Sequence, residues 1–525
     1  MCKKSPCLFI AKFTTLVMKG SALPDDCHTP DRDSVCVSVL SVHHDGERPS
    51  MMSTSRLSVV QPTKQESRDA KARVLMLGST LFFIIGGYWI VRSLKQVIFA
   101  ELVGLNYLPA AKLYSLGVML IAILGYNHLV SLVPHHYLFY ILGSFYGICF
   151  FAIAGLLAHP TTGLNNTDIG SHRWLGWIAF FCIETYSSIM MTLFWSFVTT
   201  VYSFDGAKKS YGYIVAGSQL GSILGPVIVW NVRLLGGIPN VFAIGACCPI
   251  FTMVMIYYYM KKFGNSDGKG IEATSGTPTM KKSGVLEGLR LLIKYPYVAG
   301  IFVVSNLSEI AFAIMDYELL RLGKDANPDK DDFTVFMGTF GVAVNVLSFL
   351  IAVVGTTTIF EKFQLRSILA FIPVLIFLDV MMVYCFQSLW VVYAGVVFFK
   401  SLLSALNNPA KELLYSVTSP DVKFKAKSWI DAFGSRAMKG VGSCVTGPLV
   451  KNMSKLFGVG SIVSSAVCVV LVVAGWSMGS DCELYVREHH IVGESKKFDD
   501  SMDMKKEPFM SSPSNVMTKS SAVIK

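Results

Sequence analysis

Charged side chains interrupt stretches that are otherwise apolar, and their positions bound the chemistry open to this chain. Arg92, Lys95, Lys112, Glu184, Glu309, Asp316, Glu318, Asp379, Lys400, Arg436 and Lys439 lie inside or beside apolar runs. Those runs are about 20 residues long, the length a helix needs to cross roughly 30 Å of hydrocarbon. A charge at that depth costs about 2.5–3.5 kcal/mol, so each must face a partner or a watery cavity. Arg92 and Lys95 stand three apart and share one helix face, and Lys112 opens the next run. Such a group suits a polyanion, because several phosphate oxygens need several donors, with Arg supplying a fork and Lys a point charge. Snorkelling to lipid headgroups is the other reading of Arg92 and Lys95. Glu184 and Glu309 sit about ten residues inside their runs, which places both carboxylates near the midplane at about 1.5 Å per residue.

Other chemistries lack their residues. The sequence contains no Gly-x-x-x-x-Gly-Lys-Ser/Thr phosphate cradle, no Gly-x-Ser-x-Gly elbow and no His-Glu-x-x-His metal site, so nucleotide hydrolysis and metal-assisted catalysis are not expected. His135 and His136 read as a solvated pair in a short loop. The twelve cysteines are scattered, many of them in apolar runs, with neither disulfide nor zinc spacing, and read as small packing hydrophobes. No cofactor, metal or catalytic residue is expected. The net charge of +11 is explained by membrane topology rather than nucleic acid, since Lys and Arg sit between the apolar runs and in the tails.

A chain that is 52% hydrophobic and only 15% charged over 525 residues is not a water-soluble multidomain protein. The pattern predicts an all-α polytopic membrane protein of about 12 transmembrane helices in two six-helix bundles. Residues 1–73 form a polar tail, 74–260 the first bundle, 261–297 a hydrophilic link on the cytoplasmic side, 298–480 the second bundle and 481–525 a disordered tail. The excess of Lys and Arg in alternate loops puts both termini in the cytosol. The sequons at Asn165 and Asn452 then fall on the opposite side. An internal repeat is visible: Gly217, Gly221 and Gly225 run into Pro226 in the fifth run, and Gly440, Gly442 and Gly447 into Pro448 in the eleventh. Glycines at matching places in two halves point either to close helix packing or to the moving interface of a transporter.

Three stretches are more specific. Asn408-Pro409-Ala410-Lys411-Glu412-Leu413-Leu414-Tyr415, then Lys423 to Asp431 and Gly434-Ser435-Arg436, resemble a signature of the ATP/ADP translocase family of plastids, algae and intracellular bacteria. Glu184-Thr185-Tyr186-Ser187-Ser188, Leu193-Phe194-Trp195 and Ala207-Lys208-Lys209-Ser210-Tyr211 are similar to that family's fourth and fifth spans. Asn306-Leu307-Ser308-Glu309 and Phe336-Met337-Gly338 are similar to its seventh and eighth. The resemblance covers about residues 75 to 480 and implies a major-facilitator-like fold carrying nucleotides, most commonly ATP exchanged for ADP. It further implies roles in transport for Lys95, Glu184, Glu309 and Lys427. Gln96, Asn106 and Lys209 depart from the family pattern.

The expected activity is therefore nucleotide transport by alternating access, in a lipid bilayer and with no nucleic-acid partner. Substrate would be held by Lys95, Glu184, Glu309 and Lys427, with Arg92, Lys112 and Arg436 beside them. A carrier of another organic anion, such as NAD or a phosphorylated metabolite, and a transport-inactive nucleotide receptor remain open at this level. So does the membrane of residence, whether organelle envelope or plasma membrane.

Overall fold

Inside hydrocarbon no water satisfies the backbone, so an apolar run becomes a helix that bonds its own N–H and C=O groups. The computed structural model describes residues 64–201, 204–275, 287–353, 357–419, 422, 426–427, 429–488 and 490–493, all within the unit Pro62–Lys525. Among them there is no strand, only one isolated bridge. The expectations for 1–63, for Lys423, Lys425 and Ser428, and for 494–525 lie outside the described residues.

Six long helices come first: α1 (Lys64–Leu102), α2 (Leu108–Leu132), α3 (His135–Ala158), α4 (Trp174–Val201), α5 (Phe204–Trp230) and α6 (Ile238–Ser275). A short helix α7 (Glu287–Lys294) leads into α8 (Pro296–Asn306), which breaks at Leu307 and resumes as α9 (Ser308–Ala326). Then follow α10 (Lys330–Ile351), the short α11 (Thr357–Lys362), α12 (Leu365–Phe386) and α13 (Leu389–Leu402). Helix α13 passes through a π-helical turn at Leu403–Asn407 into α14 (Asn408–Leu414). Helices α15 (Ser435–Thr446) and α16 (Met453–Arg487) complete the chain.

Eleven crossings among the described residues are long and apolar enough to span a membrane, α8 with α9 and α13 with α14 counting as one each. The expected span at 434–450 is α15 followed by a 3₁₀ turn at Gly447–Leu449. It is helical but polar, because Ser435, Arg436, Lys439 and Ser443 replace apolar residues, and it lies between α9 and α2. Side chains that would meet lipid are apolar and exposed, among them Ile121, Ile148, Phe371, Ile462 and Val473. Lys95, Asp316, Glu318 and Asn345 are buried instead.

Helices α1 to α6 pack as one bundle, α2 joining it chiefly through α4, and α9, α10, α12, α13, α15 and α16 pack as the other. The strongest pairing in the first is α1 with α5, where a Cβ on Gly221 would lie 2.6 Å from the Phe82 carbonyl oxygen. The corresponding pair in the second is α9 with α15, where a Cβ on Gly442 would lie 2.8 Å from the Ile310 carbonyl oxygen. The repeated glycines thus serve close packing within each bundle. Across the bundles α5 meets α10 and α2 meets α15, two contacts that interchange when the halves are exchanged.

Three boundaries move. Helix α1 begins at Lys64, not 74, because Asp69 reaches Lys262 at 3.9 Å and the Arg73 guanidinium covers the Phe263 ring. Helix α6 runs on to Ser275, past the expected start of the link. The tail expected from 481 stays helical to Arg487, since Cys482 is buried, Glu483 accepts from the Arg366 backbone at 3.3 Å, and Tyr485 packs on Tyr297. Val492 then pairs with the 417–419 strand-like segment through two backbone hydrogen bonds of 2.8 and 2.9 Å. The end at which α1 starts and α16 finishes is called the near end below, and the opposite one the far end.

Candidate functional site

Polar positions on α1, α2, α4, α9 and α15 converge on a cavity of about 180 Å³. It is lined by Arg92, Lys95 and Gln96 from α1, Lys112 from α2, Phe180 and Glu184 from α4, Asp316 from α9, and Ser435, Arg436 and Lys439 from α15. Five cations face two carboxylates there, an excess of three positive charges that dictates an anionic guest.

Each cation has a partner whose origin explains its cost. The Lys95 ammonium pairs with Glu184 and lies 4.6 Å from the Phe180 ring centre, so an 8% exposed charge is held by a carboxylate and a π face. Arg92 donates to the Tyr88 hydroxyl one turn back and stacks 5.2 Å from Trp89. Lys112 bonds Asp316 at 3.0 Å, joining the first bundle to the second. Arg436 also crosses the seam, donating to the Ser188 hydroxyl of α4.

Glu309 stands just behind the lining. The break at Leu307 puts it in the first turn of α9, where the helix dipole favours a carboxylate. There it accepts from Ser435 at 2.9 Å and lies 3.5 Å from the Lys439 ammonium. A π-helical turn at Ile430–Gly434, one residue wider than an α turn, precedes Ser435 and aims it and Arg436 inward.

Of the seven expected site residues, Arg92, Lys95, Lys112, Glu184 and Arg436 line the cavity and Glu309 touches two residues that do. Lys427 does not. It lies between α14 and α15, 2.5 Å from Glu412 and 5.5 Å from the Tyr415 ring centre. The structure adds Asp316 and Lys439, which the sequence marked only as charges within spans. Their signal was spacing: Asp316 follows Glu309 by two helical turns, and Lys439 follows Arg436 by three residues, so each shares a face with an expected site residue.

The far end is closed across the seam. Glu101 pairs with Lys324, Arg233 with Asp332, and the Lys330 ammonium donates to the Leu164 carbonyl at 3.4 Å. A Cβ on Gly338 would sit 2.6 Å from the Trp230 backbone nitrogen, so α5 and α10 touch there. Among the described residues no ion pair joins the bundles at the near end. The loop at 159–173 on the far side is gathered around Arg173, whose guanidinium donates to four carbonyls, those of Thr162, Gly163, Asn166 and Asp168, at 2.6–3.1 Å.

Residues 67–481 match the family described as TLC ATP/ADP transporter. The chain belongs to the TLC ATP/ADP transporter family. Relatives within reach of it include ADP,ATP carrier protein 1, chloroplastic, from Arabidopsis thaliana, 22% identical over 73% of this chain and 69% of that one. ADP,ATP carrier protein 1 of Chlamydia muridarum is 24% identical over 71% of this chain and 81% of its own. Among solved structures, the nucleoside transporter NupG superposes with a TM-score of 0.54 at 14% identity, covering 78% of this chain and 99% of that one. A peptide transporter POT in complex with sulfate gives 0.53 at 14% identity, over 78% and 95%. These structures share the fold of this chain. Within the TLC ATP/ADP transporter family, then, this member gathers Arg92, Lys95, Lys112, Glu184, Asp316, Arg436 and Lys439 around a cavity between two bundles.

Proposed function

We propose that this protein exchanges ATP- and ADP-type nucleotides across a membrane by alternating access. The observation that carries the reading is the cation-rich cavity at the seam, with five cations drawn from both bundles and two carboxylates among them. Phosphate oxygens would be taken by Arg92, Lys95, Lys112 and Arg436, which between them offer two forks and two point charges. Gln96, Ser187 and Ser435 supply hydrogen-bonding groups for ribose, and Phe180 a ring for the base. Glu184 and Glu309 hold Lys95 and Lys439 in place and limit the cost of buried charge when phosphate is elsewhere.

Lys427 supports a different step. Half-exposed beside Glu412 on the near-end connection, it would meet the nucleotide before the cavity does. Both termini are taken as cytoplasmic, so the near end faces the cytosol and the exposed Asn165 the other side. The two bundles would rock about the α5/α10 and α2/α15 contacts. Uptake of labelled ATP, ADP and other nucleotides into proteoliposomes, with and without nucleotide inside, tests the proposal. Uptake that requires internal nucleotide and is blocked by unlabelled ADP is expected. No uptake or competition by any nucleotide would exclude it.

A further inference from the structure

The Lys112–Asp316 pair differs from every other pair at the cavity. Lys95–Glu184 and Lys439–Glu309 each lie within one bundle, whereas Lys112 belongs to α2 and Asp316 to α9. Both side chains are largely buried, 17% and 8% exposed, and both line the cavity. Among the described residues, Glu101–Lys324 and Arg233–Asp332 also cross the seam, but at the far end, away from the cavity lining. Lys112–Asp316 thus both ties the bundles together and presents its cation to a guest.

That cation cannot serve two anions at full strength. A carboxylate 3.0 Å from the ammonium takes one of its three donors and offsets much of the charge a phosphate would meet. The cavity of about 180 Å³ is also smaller than the roughly 300–1,000 Å³ of small-molecule sites, so a nucleotide needs cross-cavity contacts to part. Displaced, Asp316 would be a buried charge without a partner unless another cation stood close. Lys400 of α13 stands close. Its ammonium lies 4.6 Å from the ring centre of Phe312, one helical turn before Asp316, and 5.8 Å from that of Phe340. It has no ion-pair partner among the described residues.

We infer that Asp316 is a positioning residue that competes with substrate phosphate for Lys112 and so makes exchange obligatory. With Lys112 on Asp316, the bundles are held together on the far side of the cavity. Phosphate on Lys112 releases Asp316 to Lys400, and the seam parts. A carrier emptied at the near end stays locked until another nucleotide reaches Lys112, so net movement from the far side to the near side without a returning nucleotide is suppressed. The inference deepens the transport reading and rests on it.

Full-length protein in proteoliposomes separates the two. The measured quantity is the ratio of labelled ADP uptake into vesicles without nucleotide to uptake into vesicles loaded with it. For Asp316→Asn that ratio should rise about ten-fold, a factor typical of coupling between sites. A merely structural role would lower both uptakes together and leave the ratio unchanged, and that result overturns the inference. Should Asp316→Asn fail to accumulate, Lys112→Gln/Asp316→Asn leaves no orphaned charge and is read the same way. Asp316→Glu should restore dependence on internal nucleotide. Lys400→Gln should cut kcat about ten-fold with KM within about two-fold of the unsubstituted value, because Asp316 then has nowhere to go. A change in KM alone counts against the relay. Absence of any exchange by the unsubstituted protein would sink the transport reading itself, and this inference with it.

Discussion

At the scale of single residues, the cavity is a set of charges each of which is tolerable only because of one neighbour. Replacing Lys95 by Gln leaves Glu184 without its cation, and replacing Glu184 by Gln does the reverse. Because Glu184 keeps 28% of its side chain exposed, each single change should cost about 2–3 kcal/mol, below the upper range for fully buried pairs. The Lys95→Gln/Glu184→Gln double variant should be more stable than the sum of the singles by about 1–3 kcal/mol, read from thermal unfolding in detergent. Nucleotide binding should be lost in both variants that lack Lys95. Lys427→Gln should behave differently, keeping equilibrium ADP affinity within about two-fold while slowing uptake at low salt, since a cation outside the cavity acts on encounter. An equal loss of affinity would place Lys427 in the site after all. The sequence revealed most of this chemistry, because a charge in an apolar run is conspicuous by its cost. It did not reveal the pairing. Lys112 and Asp316 are 204 residues apart, and no local spacing connects them. Lys427 entered through a family signature, which reports that a residue matters without reporting where it lies.

Elements explain why those residues meet. The four-residue glycine spacing of Gly217, Gly221 and Gly225 was legible as a face for close approach, and α5 does lie against the backbone of α1 there, with a Cβ on Gly217 2.5 Å from the Gly78 carbonyl oxygen. Gly221→Val should therefore separate α1 from α5, cost about 3 kcal/mol or more, and prevent a monodisperse peak on size-exclusion chromatography. Gly117→Val is the matched control, since nothing lies within 4 Å of its Cβ position, and it should accumulate normally. Two features were not legible. The run at 298–320 reads as one helix, yet it breaks at Leu307 between Asn306 and Ser308, where the Asn306 amide bonds back to the Phe302 carbonyl at 3.2 Å. The π-helical turns at Leu403–Asn407 and Ile430–Gly434 have no periodic mark in the sequence, because one extra residue in a turn barely alters an apolar pattern. These irregular turns lie in the second bundle, and two of them set the directions of Glu309, Ser435 and Arg436.

For the whole molecule, the closed far end has a hierarchy. Arg233–Asp332 is half-exposed, 60% and 46%, and an exposed pair contributes only about 0–1 kcal/mol. Glu101–Lys324 is better shielded, at 18% and 20% exposure. Glu101→Gln should raise the labelling rate of a cysteine placed at Leu108, which lines the cavity, by about five-fold when an impermeant thiol reagent is added from the far side. Asp332→Asn should change it less than about two-fold, and raising the salt should mimic Asp332→Asn because only the exposed pair is screened. Equal effects of the two substitutions would remove the hierarchy. The guanidinium of Arg173 adds a mechanical constraint on this movement. A loop whose own carbonyls are stapled from within is stiff, so the 159–173 segment cannot peel away piecemeal; it moves as one piece with the bundle that carries it. Arg173→Lys, with a single ammonium in place of a planar fork, should turn that hinged plate into a slack flap, exposing the 161–168 stretch to protease while leaving the helices beneath intact.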